Sequence, residues 1–405
     1  LRRAALSGPG FAALLRGIPM AASMQAAERA RVLAACGVHV ISLTLGEPDF
    51  PTETHVLAAA HAAALRGETK YPPVRGTAAL LDAVAAKFQR DSGLAFGRDQ
   101  LLVGHGARQI IYDALTATLD PGAEVVIPAP YWNAYPLIAR MAGAVPVFVP
   151  ATAAEKFLPR AEAIEAAITP RTRWLILNFP GNPTGAVAPA SLLAEIAEVL
   201  RRHPNVWIMC DVIYEQLIFD GSENPCLPVI APDLAARCLM ISGVSKTYAM
   251  TGWRVGFAGG PADLIAAMAL VQGQSTGGVS PIAQAAAVAA LTGPQERVAV
   301  MRETYARRSR RMAAALGALP GWRCAAPEAA FYVFADISAR GEDDQVFTAR
   351  LLDEAHVGAV HGTSFGAPGH VRFSTAASDA DIEMAIERIA AFCGLGLVKA
   401  KLRTD

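Results

Sequence analysis

The chain has 405 residues and 42.5 kDa, is 53% hydrophobic and 18% charged, and has a positive mean hydropathy of +0.31; that length suits about two domains with a large buried core. Its 36 basic and 36 acidic residues cancel, which argues against a non-specific nucleic-acid binder. No uninterrupted apolar run approaches the ~18 residues of a membrane helix, and six cysteines without a CxxC pair argue against a zinc or thioredoxin-type site and for a reducing, cytoplasmic setting.

Residues 1–27 hold three arginines and no acid. They lack the sustained Arg and Ser content of a transit peptide and are expected to form an N-terminal arm. From there short apolar runs alternate with Ala-rich helical stretches. Strands are expected at Val38–Leu43, Leu101–Val103, Glu124–Ile127, Val145–Val149, Trp174–Asn178, Val206–Met209, Cys238–Ile241 and Arg254–Ala258. Helices are expected between them, at Thr77–Gln89, Arg108–Leu119, Pro159–Ala167 and Ala188–Arg201. Continuous rather than alternating apolar strands fit a parallel sheet covered on both faces, and the alternation of strand and helix indicates an α/β fold.

After Pro281 the pattern changes. Helices over Pro281–Leu291 and Arg297–Leu316, with Gly317 as a stop, lead into a smaller α+β region with strands at Phe331–Phe334 and His370–Phe373. The expected organisation is a large unit over 46–291 and a small one over 292–405. The stretch 1–45 should pack on the small unit.

The chemistry concentrates on one lysine. Only six residues are lysine, at 70, 87, 156, 246, 399 and 401. Lys87 falls in an amphipathic helix and Lys399 and Lys401 in a polar tail, where solvated faces are expected; Lys156 falls in a loop. Lys246 instead follows a strand in Ser242-Gly-Val-Ser-Lys-Thr-Tyr-Ala-Met-Thr-Gly-Trp-Arg-Val-Gly256, among small residues that let a planar group approach the backbone. Arg254, a fixed cation eight residues on, should lower the pKa of its amine and favour nucleophilic chemistry.

Other motifs carry weaker signals taken alone. Asp211 ends an apolar strand, where α/β folds bind ligands, but such an Asp also serves turns and caps. Val103-Gly-His-Gly-Ala-Arg-Gln109 opens a helix whose free N–H groups suit phosphate, although glycine-rich strand–helix turns are common. Trp132, in Ala129-Pro-Tyr-Trp132, suits stacking on a ring or simply a core. Asn178-Phe-Pro-Gly-Asn-Pro-Thr-Gly185 reads as a turn. Arg372, in Gly369-His-Val-Arg-Phe-Ser374, offers a planar guanidinium for a carboxylate, or is a surface arginine.

Gly243–Gly256 resembles the pyridoxal-phosphate (PLP) attachment motif of class I aminotransferases. The similarity runs from about residue 17 to 393, towards the bacterial aspartate and prephenate aminotransferases. It implies the PLP-dependent fold type I, with a mainly parallel seven-stranded sheet and a small α/β domain. It also implies that Lys246 carries PLP in a Schiff base and shuttles the substrate proton. Asp211 then holds the pyridine nitrogen protonated, and Tyr214 and Asn182 bond the phenolic oxygen. Trp132 stacks on the ring. Gly106, Ala107, Arg108, Ser245 and Arg254 belong to the cofactor cradle, and Tyr71 reaches the phosphate of a neighbouring subunit, which makes a homodimer with interface active sites part of the expectation. Gly46 and Arg372, with Asn182 and Trp132, are expected at the substrate carboxylate.

Four positions depart from the pattern. Val212 stands where many relatives have Glu, Gly181 where they have Asn, and Ala329 where they have Gly, its methyl expected to narrow the pocket. Arg108 stands where the branch can carry a lysine that contacts an acidic side chain. Dicarboxylic substrates, aspartate/oxaloacetate with 2-oxoglutarate, are therefore the leading expectation, by a ping-pong mechanism. Prephenate or aromatic substrates, alanine-type substrates and a PLP-dependent β-lyase are the alternatives. A transcription regulator with a fold of this kind would need an N-terminal DNA-binding domain, for which about 45 residues leave little room. No metal, nucleic-acid or membrane partner is expected.

Overall fold

A computed structural model describes Gly10 and residues 18–394. Most of the expected arm, and Lys399 and Lys401, lie outside the described residues.

Among the described residues, twelve strands occur in chain order: β1 (Ile41–Ser42), β2 (Leu101–Gly104), β3 (Glu124–Ala129), β4 (Val145–Pro150), β5 (Thr172–Asn178), β6 (Trp207–Asp211), β7 (Cys238–Gly243), β8 (Gly256–Gly259), β9 (Tyr332–Asp336), β10 (Val357–Gly358), β11 (Val360–His361) and β12 (His370–Ser374). Seven of them form one sheet in the order β2-β8-β7-β6-β5-β3-β4. Only β8 runs against its neighbours β2 and β7; the other pairs are parallel. Its inner strands are buried along nearly their whole length, as a sheet covered on both faces requires.

Two apolar clusters occupy the two faces. One gathers Val126, Leu175, Leu177, Ile208, Cys210 and Met240 with the helices Ala78–Ser92, Ala190–Arg202 and Pro281–Thr292. The other gathers Val125, Trp174, Ile176, Met209 and Ile241 with Ala107–Thr118 and Ala262–Ser275. The alternation of neighbouring residues between the clusters is the period-2 geometry of a strand. A third cluster joins Ile41 and Leu43 to residues of the helices Glu296–Gly317, Asp344–Ala355 and Asp379–Phe392 and of β9 and β12. There β9, β11 and β12 form an antiparallel sheet, and β1 pairs in parallel with β10. Residues 41–43 thus pack on the C-terminal region.

Several expectations shift. The strand expected at Val38–Leu43 is only two residues long, because β10 offers only two partners. The strand expected from Arg254 begins at Gly256, since Arg254 adopts a left-handed φ of 55°. Gly317 is the last helical residue rather than the one beyond it.

Lys87 overturns its expectation. It is not on a solvated face but 3% exposed, contacting the Glu215 carboxylate, with Asp91 at 3.5 Å. Its helix buries Leu80, Ala83, Val84, Lys87 and Phe88 on one stripe, so Lys87 sits where the helical repeat turns inward.

Candidate active site

The C-terminal ends of the parallel strands meet at one rim, and the short elements that follow them carry the expected residues. Beyond β7 the chain makes a single turn, Val244–Thr247, that presents Lys246 with Ser245 buried beside it. The Lys246 amine donates to the Gly46 carbonyl at 2.5 Å. Loss of hydration lowers its pKa to about 8, and the Arg254 and Arg372 charges push the same way. Glu47 and Asp211 oppose this, but less strongly.

Asp211 closes β6. Its Oδ2 accepts from the Tyr135 hydroxyl at 2.7 Å and its Oδ1 from the Ile213 N–H at 3.2 Å. Burial nonetheless raises its pKa to about 6. A carboxylate held this way gains from a cation placed against it. The neighbouring strand end is fastened to it, because Asn178 pairs with Asp211 in register and donates to its carbonyl at 2.9 Å. The Asn178 side-chain oxygen accepts the Asn182 N–H at 3.1 Å.

Asn182 and Arg372 come together from 190 residues apart: the guanidinium donates to Asn182 Oδ1 at 2.9 Å and to the Thr44 carbonyl at 2.5 Å. Among the described residues the buried Arg372 Nε has no partner. The guanidinium lies 4.6 Å from the Tyr332 ring centroid and 4.9 Å from that of Phe365. Tyr214 follows Asp211 by one turn, buried, with its hydroxyl 2.7 Å from that of Tyr332.

Beyond β2, Gly106 caps the helix Ala107–Thr118 without a side-chain bond, at a φ of +82° that suits glycine. The Arg254 guanidinium donates to the His105 carbonyl at 3.2 Å, and a Cβ on Gly106 would lie 2.4 Å from Arg254 Nη2. Gly256 is equally constrained, since its Cβ would meet the Ala107 nitrogen at 2.4 Å. An open helix start with a guanidinium beside it is an arrangement that suits an anion. Arg108, exposed, stacks at 4.8 Å from the Trp132 centroid, and Trp132 packs edge-on against Tyr135.

Tyr71 stands apart from these groups, fully exposed. Ala329 is fully buried and bridges to Ile218, and its carbonyl would lie 2.4 Å from a Cβ on Gly185, so it bears on the Asn-Pro-Thr-Gly turn. A surface cleft of about 630 Å³ lined by Glu47, Phe50, Thr251, Trp253 and Ser280 borders the Lys246 segment rather than Asp211. It marks an edge of the site, not its centre. Sequence reasoning passed over Tyr135 and Tyr332. Each lies in an apolar or aromatic run, and only its hydroxyl partner, far away in sequence, reveals it.

The family model for class I and II aminotransferases matches residues 38–389. The chain is 44% identical over 392 residues to an aspartate aminotransferase of Rhizobium meliloti, covering 94% of this chain and 96% of that one. It is 47% identical over 376 residues to an aspartate/prephenate aminotransferase of Cereibacter sphaeroides, covering 90% and 94%. The crystal structure of an aspartate aminotransferase from Rhizobium meliloti superposes with a TM-score of 0.92 at 44% identity, over 96% of this chain and 99% of that one. The Thermus thermophilus aspartate aminotransferase with maleate gives 0.90 at 39%, over 95% and 100%. With the family model spanning nearly the whole described chain and both kinds of relative agreeing along it, the protein belongs to the class I and II aminotransferases and is an aminotransferase enzyme.

Proposed function

We propose that this aminotransferase moves the amino group of aspartate, or another dicarboxylic amino acid, to a 2-oxo acid such as 2-oxoglutarate, with PLP held on Lys246. The observation that carries the reading is a part-buried amine with its pKa lowered to about 8, set among Arg254, Arg372 and Asp211. Names of relatives that act on aspartate support the substrate class.

The residues fit the cofactor's chemistry. Asp211 is a buried carboxylate short of a cation, as a protonated pyridine nitrogen would supply. Gly106, Ala107, Ser245 and Arg254 suit a phosphate, Tyr214 and Asn182 a phenolic oxygen, and Trp132 a ring face. Bound there, PLP supplies an electron sink for the pair left when the substrate Cα proton departs.

The chain's own groups do the rest. Arg372, with an unpartnered Nε and backed by aromatic rings, clamps the α-carboxylate; the Gly46 backbone faces it. Lys246, its pKa lowered to about 8 by burial and the Arg254 charge, would take the Cα proton as general base and later give it back as general acid. Asp211 would face the cofactor's ring nitrogen and hold it protonated. Arg108, free at the rim, receives the side-chain carboxylate. Donor and acceptor use one site in turn, as a ping-pong mechanism requires. Tyr71, exposed on a single chain, would complete a partner's phosphate site in a homodimer. In the same reading the unit over 46–291 binds cofactor and the unit over 292–405 supplies Arg372 to the substrate carboxylate.

The test is a visible-absorbance titration of the PLP-loaded protein with aspartate, glutamate, phenylalanine and alanine in turn, without acceptor. Conversion by the two acidic donors supports the reading. Conversion only by the others keeps the transaminase and removes the dicarboxylate. Arg108→Ala should then weaken aspartate roughly tenfold or more, the scale of a charge-assisted hydrogen bond, while leaving alanine little changed; equal losses would move Arg108 to the phosphate.

A further inference from the structure

Tyr332 stands where three parts of the site meet. Its hydroxyl lies 2.7 Å from that of Tyr214, its ring carries the Arg372 guanidinium at 4.6 Å, and its tip occupies the space a Cβ on Gly46 would need, 1.8 Å away. The Gly46 carbonyl in turn accepts from Lys246. Both phenols are buried, and burial holds both in the protonated form at neutral pH. Two O–H groups that share one hydrogen bond must divide the roles: one donates and keeps no free proton, the other accepts and does.

The surroundings leave little competition for the pair. Phe331 packs edge-on against Tyr214 and tilted against Tyr332. Tyr332, Arg372 and Asp211 act on Tyr214, and Tyr135, which also feels Tyr214, has its hydroxyl engaged by Asp211. Glu215, next in the chain, is engaged by Lys87 and Ser242.

We propose that Tyr332 is a positioning residue for transamination: its hydroxyl donates to the Tyr214 oxygen and turns the Tyr214 proton towards the cofactor's phenolic oxygen, while its ring backs Arg372. This rests on the role given to Tyr214 above. In the opposite arrangement the Tyr214 proton is consumed by Tyr332 and none faces the cofactor. A phenol that accepts a hydrogen bond also becomes a stronger donor. One side chain therefore ties the cofactor end of the site to the carboxylate end.

The experiment is a pH titration of the visible absorbance of the PLP-loaded enzyme, comparing wild type, Tyr332→Phe, Tyr214→Phe and the double variant. A donor to the phenolic oxygen draws off negative charge that holds the proton near the Lys246 nitrogen, so its loss raises the midpoint. Tyr332→Phe should raise it by roughly half a pH unit, the scale of part of one neutral hydrogen bond. Tyr214→Phe should raise it more, and the double variant no further than Tyr214→Phe alone, because Tyr332 acts through Tyr214. Tyr332→Phe keeps the ring and should leave maleate binding within about twofold, whereas Tyr332→Leu should weaken it several-fold, the scale of a desolvated cation–π contact. An unmoved midpoint in Tyr332→Phe, or a shift that adds fully in the double variant, overturns the proposal. An unmoved midpoint in Tyr214→Phe overturns the role of Tyr214 on which it stands.

Discussion

Lys87 and Lys246 are both drawn out of water, yet one is paired with carboxylates and the other is not. Lys87 meets Glu215 and Asp91, and lies 4.9 Å from the Phe88 ring centroid. Ser242 donates to the same Glu215 oxygen at 2.7 Å. Every charge there has a partner. Among the described residues Lys246 has only a backbone carbonyl as its hydrogen-bond partner, and burial with two arginines outweighs Glu47 and Asp211 in disfavouring its charge. A paired ammonium holds structure, whereas an ammonium made costly to charge becomes an amine available for chemistry. The two are joined, because Ser242 opens the segment that presents Lys246. The buried network therefore anchors the loop that the reactive lysine needs.

The comparison breaks most visibly if the two lysines are exchanged in importance. Lys246→Ala should lower turnover roughly 10⁴-fold, the upper range of acid–base catalysis by one side chain, with little loss of folding stability. A variant that keeps substantial turnover in steady-state assays would put the chemistry elsewhere. Lys87→Met should do the reverse. Leaving Glu215 buried and unpaired should cost about 3–5 kcal/mol, read from denaturant unfolding, and Lys87→Met with Glu215→Leu should recover much of it. Stability loss that persists undiminished in the double variant would mean that shape, not charge, matters at this place.

The smallest effect is a pH dependence. In cofactor-free protein the folded pKa of Lys246, about 8, lies below its ordinary 10.5. Between those values the unfolded chain holds the extra proton, so stability should rise with pH, by at most about 1.4 kcal/mol per pH unit. Below about pH 8 both states are charged and the penalty is constant. Lys246→Met should remove that rise relative to wild type; an identical rise in both proteins would assign it to other groups.

What the sequence made legible follows from how local each signal is. Lys246 sits in a string of small residues beside Arg254, and Asp211 closes an apolar run at the end where α/β sheets bind ligands. Both could be found without coordinates. Lys87 was half legible, since it shares a helical stripe with Leu80 and Val84, but a charge on that stripe makes sense only with Glu215, 128 residues away. Tyr135 and Tyr332 bond partners 76 and 118 residues away, and nothing near either one distinguishes it from an ordinary core aromatic. The strand at Ile41–Ser42 is short for a similar reason, because its length is set by β10 and not by its own residues.

The most direct test of the lysine assignment is borohydride reduction of the PLP-loaded enzyme followed by peptide mass spectrometry. The account predicts the reduced cofactor on the peptide containing Lys246 and an unmodified peptide containing Lys87. Stoichiometric label on Lys87, Lys156 or any lysine other than Lys246 would contradict it.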